Sequence, residues 1–195
     1  MIDLTNAELT DVIRLSDIDT LRSTAGRWFD VNERDKKGCT PLIAAISAAS
    51  PRKAKLLINA GADVNGTDKD GNTALILACL HNHPKTVEIL LDNGADVNVI
   101  NEYGDRALLN AAQFGHTKIV KLLINADVNV NVIDKANWTP LMHASFRGYI
   151  GIVKLLLKEE ADINIKDING KTAVMYAESQ EHHKVVKLLE SGQIQ

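Results

Sequence analysis

The sequence predicts an all-α solenoid of stacked helix-turn-helix units joined by short β-hairpin-like loops. One observation is a tripeptide that recurs at a fixed step of 33 residues: Asp30-Val31-Asn32, Asp63-Val64-Asn65, Asp96-Val97-Asn98, Asn129-Val130-Asn131 and Asp162-Ile163-Asn164. A second is a set of apolar ladders in the same register. They run Leu42, Leu75, Leu108, Leu141 and Val174, then Ala45, Ala78, Ala111, Ala144 and Ala177, then Leu57, Leu90, Leu123, Leu156 and Leu189. The third is a helical apolar period that appears twice in each step. A fixed period of this length marks an array in which each unit buries its apolar face only against its neighbours.

Within one step, Ala74-Leu75-Ile76-Leu77-Ala78-Cys79 and Val87-Glu88-Ile89-Leu90-Leu91 each carry the helical pattern, and His81-Asn82-His83-Pro84 separates them as a tight turn. Pro51 and Pro84 stand at the first position of the second helix, where a missing N–H costs nothing. Gly61 and Gly94 stand just past its end, where a left-handed residue closes a helix. Asp68-Lys69-Asp70-Gly71 supplies turn residues for the loop to the next unit.

These residues resemble the ankyrin repeat, whose pattern combines a Thr-Pro-Leu-His-like helix start, a Gly-His turn, a Leu-Leu pair and Gly-Ala-Asp-Val-Asn. Thr40-Pro41-Leu42-Ile43, Thr73-Ala74-Leu75-Ile76 and Thr139-Pro140-Leu141-Met142 match the first element, and Gly115-His116 the turn. The resemblance covers Asp35 to Leu189. It implies an N-terminal capping repeat at 1–34, in which Leu9 and Val31-Asn32 keep the register. Repeats at 35–67, 68–100, 101–133 and 134–166 follow, with a C-terminal capping repeat at 167–195. Glu178 and Glu190 give that last repeat a polar outer face. The chain departs from the family pattern in three ways. The histidine of the helix start is replaced by Ile43, Ile76, Leu109, Met142 and Met175, so its hydrogen bonds near the loop are expected to be missing. Arg106 stands where a helix-starting Thr belongs. Asp127 and Glu160 replace the helix-ending glycine, while Asn137 replaces the loop glycine of Gly71 and Gly104.

A formal net charge of −3 with scattered Lys and Arg leaves no footprint for a nucleic-acid backbone or an anionic membrane. No apolar run approaches the roughly 18 to 20 residues that span a bilayer, and the start lacks a secretory signal, so a cytoplasmic protein is expected. Cys39 and Cys79 make no disulfide framework and are expected to be free thiols. Cys79-x-His81-x-His83 brings soft ligands close together. The register nevertheless assigns Cys79 to the core and His83 to the turn, like His116 and His182, so no metal is expected. The carboxylates Asp63 and Asp96 belong to a ladder, no Ser or Cys has a His and acid partner apart from the repeat, and every glycine belongs to a turn or cap. Neither enzyme activity nor a cofactor is expected.

The resemblance implies a non-catalytic module that binds another protein in the concave groove made by hairpin tips and first helices. The implied groove positions are Lys36, Lys37, Cys39, Ser47 and Ala48; Lys69, Asp70, Asn72, Leu80 and His81; Glu102, Tyr103, Asp105, Gln113 and Phe114; Lys135, Ala136, Trp138, Phe146 and Arg147; and Ile168, Asn169, Lys171, Ser179 and Gln180. Of only eight aromatics, Tyr103, Phe114, Trp138 and Phe146 fall on these positions. With Arg147 they are expected to form one mid-array patch, the composition of a binding hot spot. The binding residues expected are Leu80, His81, Glu102, Tyr103, Asp105, Phe114, Lys135, Trp138, Phe146 and Arg147. Tyr149 and Tyr176 are expected to pack between repeats, and Trp28-Phe29 to close the first core. The chain alone is expected to be monomeric and to act as an adaptor, inhibitor or neutralising partner. The alternative is a self-associating scaffold joined through the aromatic patch.

Overall fold

A computed structural model describes residue 13, residues 30–36 and residues 38–191. Lys37, Trp28-Phe29 and Leu9 lie outside the described residues. The chain divides into two compact units, 1–102 and 103–195. Among the described residues the regular structure is helical, with a single isolated bridge between Thr67 and Thr73.

Unit 1 contains α1 (Pro41–Ser47), α2 (Pro51–Asn59), α3 (Ala74–Leu80) and α4 (Pro84–Asp92). Unit 2 contains α5 (Ala107–Gln113), α6 (Thr117–Ile124), α7 (Pro140–Phe146), α8 (Ile150–Lys158), α9 (Ala173–Ser179) and α10 (His183–Ser191). Helices of seven to nine residues are too short to persist alone, so tertiary burial must hold them. In unit 1, α1 packs on α2 and α3 on α4, while α1 meets α3 and α2 meets α4; the rule repeats through unit 2. The predicted ladders supply the contacts, and Leu42, Leu57, Leu75, Leu90, Leu108, Leu123, Leu141 and Leu156 are all buried. In unit 1 the carbonyl of the buried Ile13 accepts a hydrogen bond from Lys53 Nζ at 2.5 Å.

Threonine is the N-cap of four of the first helices, and in three of them its side chain makes the cap bond. Thr40, Thr73 and Thr139 accept from the backbone N–H of Ile43, Ile76 and Met142 at 3.3, 3.2 and 3.1 Å, satisfying a donor that the helix cannot. Arg106, at the start of α5, makes no such side-chain cap bond. At the far ends of α6 and α8, Asp127 and Glu160 adopt φ of 56° and 57°, the left-handed conformation that Gly61 and Gly94 supply elsewhere.

Within each unit the recurring Asn of the tripeptide ties one repeat to the next. In unit 1, Asn65 Oδ1 accepts from Asp96 N at 2.8 Å while Asn65 Nδ2 donates to Gly94 O at 3.2 Å. In unit 2, Asn131 Oδ1 accepts from Asp162 N at 2.8 Å. The loops that follow are closed by paired backbone bonds: Asp68 N donates to Asn72 O and Gly71 N to Asp68 O. Asp134 with Trp138 and Asn137 repeats this arrangement, as does Asp167 with Lys171 and Gly170. The missing family histidine therefore does not leave the loops open. In unit 2 the next residue along the first helix adds a side-chain bond, from His143 to Asp134 and from Tyr176 to Asp167.

Candidate functional site

The loop tips and first helices of unit 2 gather the aromatic residues. Asp134 Oδ1 accepts from the backbone N–H groups of Ala136 and Trp138, both at 2.8 Å, which fixes the loop segment carrying Trp138 just before α7. The Trp138 ring lies 4.2 Å from Tyr176, 5.0 Å from His143 and 5.6 Å from Phe146, centroid to centroid. Phe146 and Tyr176 complete the cluster edge to face at 6.0 Å. Tilted and edge-on geometries of this kind are those that aromatic quadrupoles favour. Trp138 and Phe146 are half-buried, so each keeps part of its surface open to solvent while its position is fixed by its ring neighbours.

Two carboxylates brace the cluster. Asp167, only 5% exposed, accepts from Tyr176 Oη at 2.5 Å and from the backbone of Lys171 and Asn169 at 2.8 and 2.9 Å. The Tyr176 hydrogen bond, with help from those backbone donors, holds the Asp167 carboxyl down at about 2 against the opposing effect of burial. Burial, with the Asp167 bond and charge, pushes the Tyr176 phenol up to about 12, Trp138 pulling the other way. The second is Asp134, whose Oδ2 lies 3.1 Å from His143 Nε2. A carboxylate can only accept, so Nε2 carries the proton. Burial pushes His143 below the ordinary imidazole range, the hydrogen bond and charge of Asp134 oppose that, and the Arg147 charge adds to it.

The expected four-aromatic patch is corrected in two respects. Phe114 does not join Trp138; its ring stacks on His116 at 6.1 Å, and it is 47% exposed at the end of α5. Tyr176 packs between repeats as expected, and it adds a ring that the patch did not include, since it is the nearest ring partner of Trp138. Tyr103 projects at 59% exposure, Asp105 is half-buried, and Lys135 is exposed. Arg147 is exposed, with Cζ 5.8 Å from the Phe146 centroid. Tyr149 packs as expected, since its ring occupies the space where a side chain at Gly115 would begin.

In unit 1, Leu80 is half-buried at the end of α3, while His81 and Glu102 are exposed. Glu102 N donates to Asp70 O at 3.0 Å, joining adjacent loop tips, as Ile168 N does to Ala136 O in unit 2. Cys79 is buried within α3, and burial pushes its thiol far above the ordinary range, whereas His81 is exposed. The Cys79-x-His81-x-His83 residues therefore do not converge. Among the described residues no group of three or more His, Cys, Asp or Glu is arranged to hold a metal ion. Among them, too, no helix is long and apolar enough to cross a membrane.

The residue that sequence reasoning missed is Tyr176. Its signal is the step of nine between Asp134 and His143, repeated between Asp167 and Tyr176: a polar group one helix turn inside the helix start, facing a loop acid.

A family model described as ankyrin repeats, in three copies, matches residues 12–101 and 98–167. No curated protein matches the chain.

Proposed function

Because the chain belongs to the ankyrin-repeat family, we propose that it is a non-catalytic module that holds a partner protein against its loop tips and first helices, with Trp138 at the centre. Ankyrin repeats generally mediate protein–protein interactions. The observation that carries the reading is the Trp138 ring, half-open to solvent yet packed on Tyr176, His143 and Phe146. A large aromatic ordered before binding loses little freedom on binding, and binding energy concentrates in such residues. Within unit 2, Tyr103, Asp105, Phe114, Lys135, Phe146 and Arg147 complete the proposed surface, and within unit 1 Leu80, His81 and Glu102 are proposed as binding residues of the same kind. The module serves as an adaptor, an inhibitor or a neutralising partner according to what its partner does.

The test has two steps. A pull-down from native extract with mass spectrometry identifies the partner, and calorimetry on purified components then scans the face. Truncation of Trp138, Phe146 and Arg147 should each weaken binding, with helix content retained. If those three change it by less than about 0.5 kcal/mol while Lys121 and Lys154 on the second helices cost more, the partner docks elsewhere and the reading fails.

A further inference from the structure

Unit 2 presents cations on this face, while the two carboxylates of the ring cluster are engaged. Arg147 lies over Phe146 at 5.8 Å and Lys171 Nζ over Tyr176 at 5.5 Å, measured to the ring centroids. Both cations are exposed, and among the described residues neither has a carboxylate within ion-pair distance. A ring beneath a cation steadies it and leaves its outer side open to an anion. The acids beside them are occupied. Asp167 receives Tyr176 Oη and two backbone N–H groups, and Asp134 receives His143 and the backbone of Ala136 and Trp138. Steps of 5.8, 6.0 and 5.5 Å run from Arg147 to Phe146, to Tyr176 and to Lys171. At most about five residues of extended chain therefore span the two cations.

Resting on the protein-binding reading above, the geometry points to an acidic partner segment: an extended stretch that sets one carboxylate on Arg147 and another on Lys171, with an apolar side chain between them on Trp138 and Phe146. Apolar contact with the rings supplies the anchor, and the carboxylates choose which segments are accepted. Guanidinium and ammonium differ here. Arg147 can take a carboxylate in a two-point fork, whereas Lys171 acts as a point charge and tolerates either Asp or Glu.

Fluorescence anisotropy of the full chain with a labelled peptide tests this. The probe has a central Leu-Phe pair flanked on both sides by Glu, and its twin carries Gln in place of every Glu. The Glu peptide should bind at least about fivefold tighter than the Gln twin in low salt, and the gap should close as salt rises. Arg147→Gln combined with Lys171→Gln should remove the gap, while Lys121→Gln combined with Lys154→Gln should leave it intact. Both cations are exposed, and circular dichroism verifies that each variant keeps its helices. Equal binding of the twins, binding of neither, or a gap that survives in the Arg147 and Lys171 variant overturns the acidic partner. So does tighter binding of an oligonucleotide of matched charge. Equal twins that both lose affinity on Trp138→Ala would overturn this inference alone and leave the binding face standing.

Discussion

Nine residues after the loop aspartate, the two units differ. In unit 1 the positions following Asp35 and Asp68 hold Ala44 and Leu77, while in unit 2 those following Asp134 and Asp167 hold His143 and Tyr176. Asp68 is satisfied inside its own loop, by the backbone of Asp70 and Asn72 and by Asn72 Nδ2 at 3.0 Å. Asp134 and Asp167 accept the same loop backbone bonds and in addition reach into the following helix, and those added bonds hold His143 and Tyr176 beside Trp138. Charge differs as well: residues 1–102 hold 15 acidic against 11 basic side chains, and residues 103–195 hold 10 against 11. The residues both units share build the helix pairs. Among those that differ, His143 and Tyr176 lie beside the loop tips, and under the proposed reading that is where specificity resides.

The sharpest way to break this comparison is to truncate matching positions. Trp138→Ala should weaken partner binding about 30-fold or more, the loss of a central aromatic worth roughly 2 kcal/mol, with binding normalised to the folded fraction. Phe146→Ala and Arg147→Ala should follow, whereas Leu80→Ala and His81→Ala, at the corresponding positions of unit 1, should cost only a few-fold. Equal losses in both units would show that the aromatic cluster is not special.

Next in size is the pH response of the braces. Asp167 titrates lower in the folded chain than in the unfolded one, so its contribution is full above about pH 4 and is lost as pH falls toward 2. Tyr176 titrates higher when folded, so its contribution is full below about pH 10 and is lost as pH rises toward 12. Tyr176→Phe should lower the urea midpoint at neutral pH and flatten the decline at both extremes. A variant with unchanged curvature would mean that the short bond does not couple loop to helix.

Two buried positions 66 residues apart sharpen the comparison further. Cys79 is buried in α3, and Ser145 occupies the same register in α7 with its hydroxyl buried and unpaired. Cys79→Ala should cost at most about 1 to 2 kcal/mol for the small cavity. Ser145→Ala should be neutral or gain up to about 1 kcal/mol, because it removes a buried polar atom that has no partner. Chemical denaturation of both reads the difference. The smallest effects belong to the helix ends: Asp127→Gly and Glu160→Gly should each stabilise by a few tenths to about 1 kcal/mol, Glu160 more, by relieving a left-handed side chain. Destabilisation by both would mean that these side chains do more than close a helix.

The fold was legible because its determinants are periodic: the Leu and Ala ladders, the Thr caps and the Asn bridges each recur in register, and burial follows them. The left-handed Asp127 and Glu160 could be read for the same reason, by alignment with Gly61 and Gly94. The site was only half legible. Trp138 and Phe146 stood out as scarce aromatics at open positions, but register cannot say toward which neighbour a ring leans. Phe114 turned to His116 in its own repeat, and Tyr176 packs between repeats as expected but with its phenol bound to Asp167, a partner that the register did not name. Side-chain direction at a single unshared position is decided by packing, and packing has no period.

The ring cluster also makes the protein an optical instrument. The chain has two tryptophans, and Trp138 lies 4.2 Å from Tyr176, close enough for the phenol's excitation to pass to the indole. His143 at 5.0 Å supplies a neighbour whose protonation quenches indole emission. With Trp28→Phe, every photon emitted by an indole comes from Trp138. Occupancy of the face can then be followed without a label, as a blue shift when a ligand covers the half-open ring.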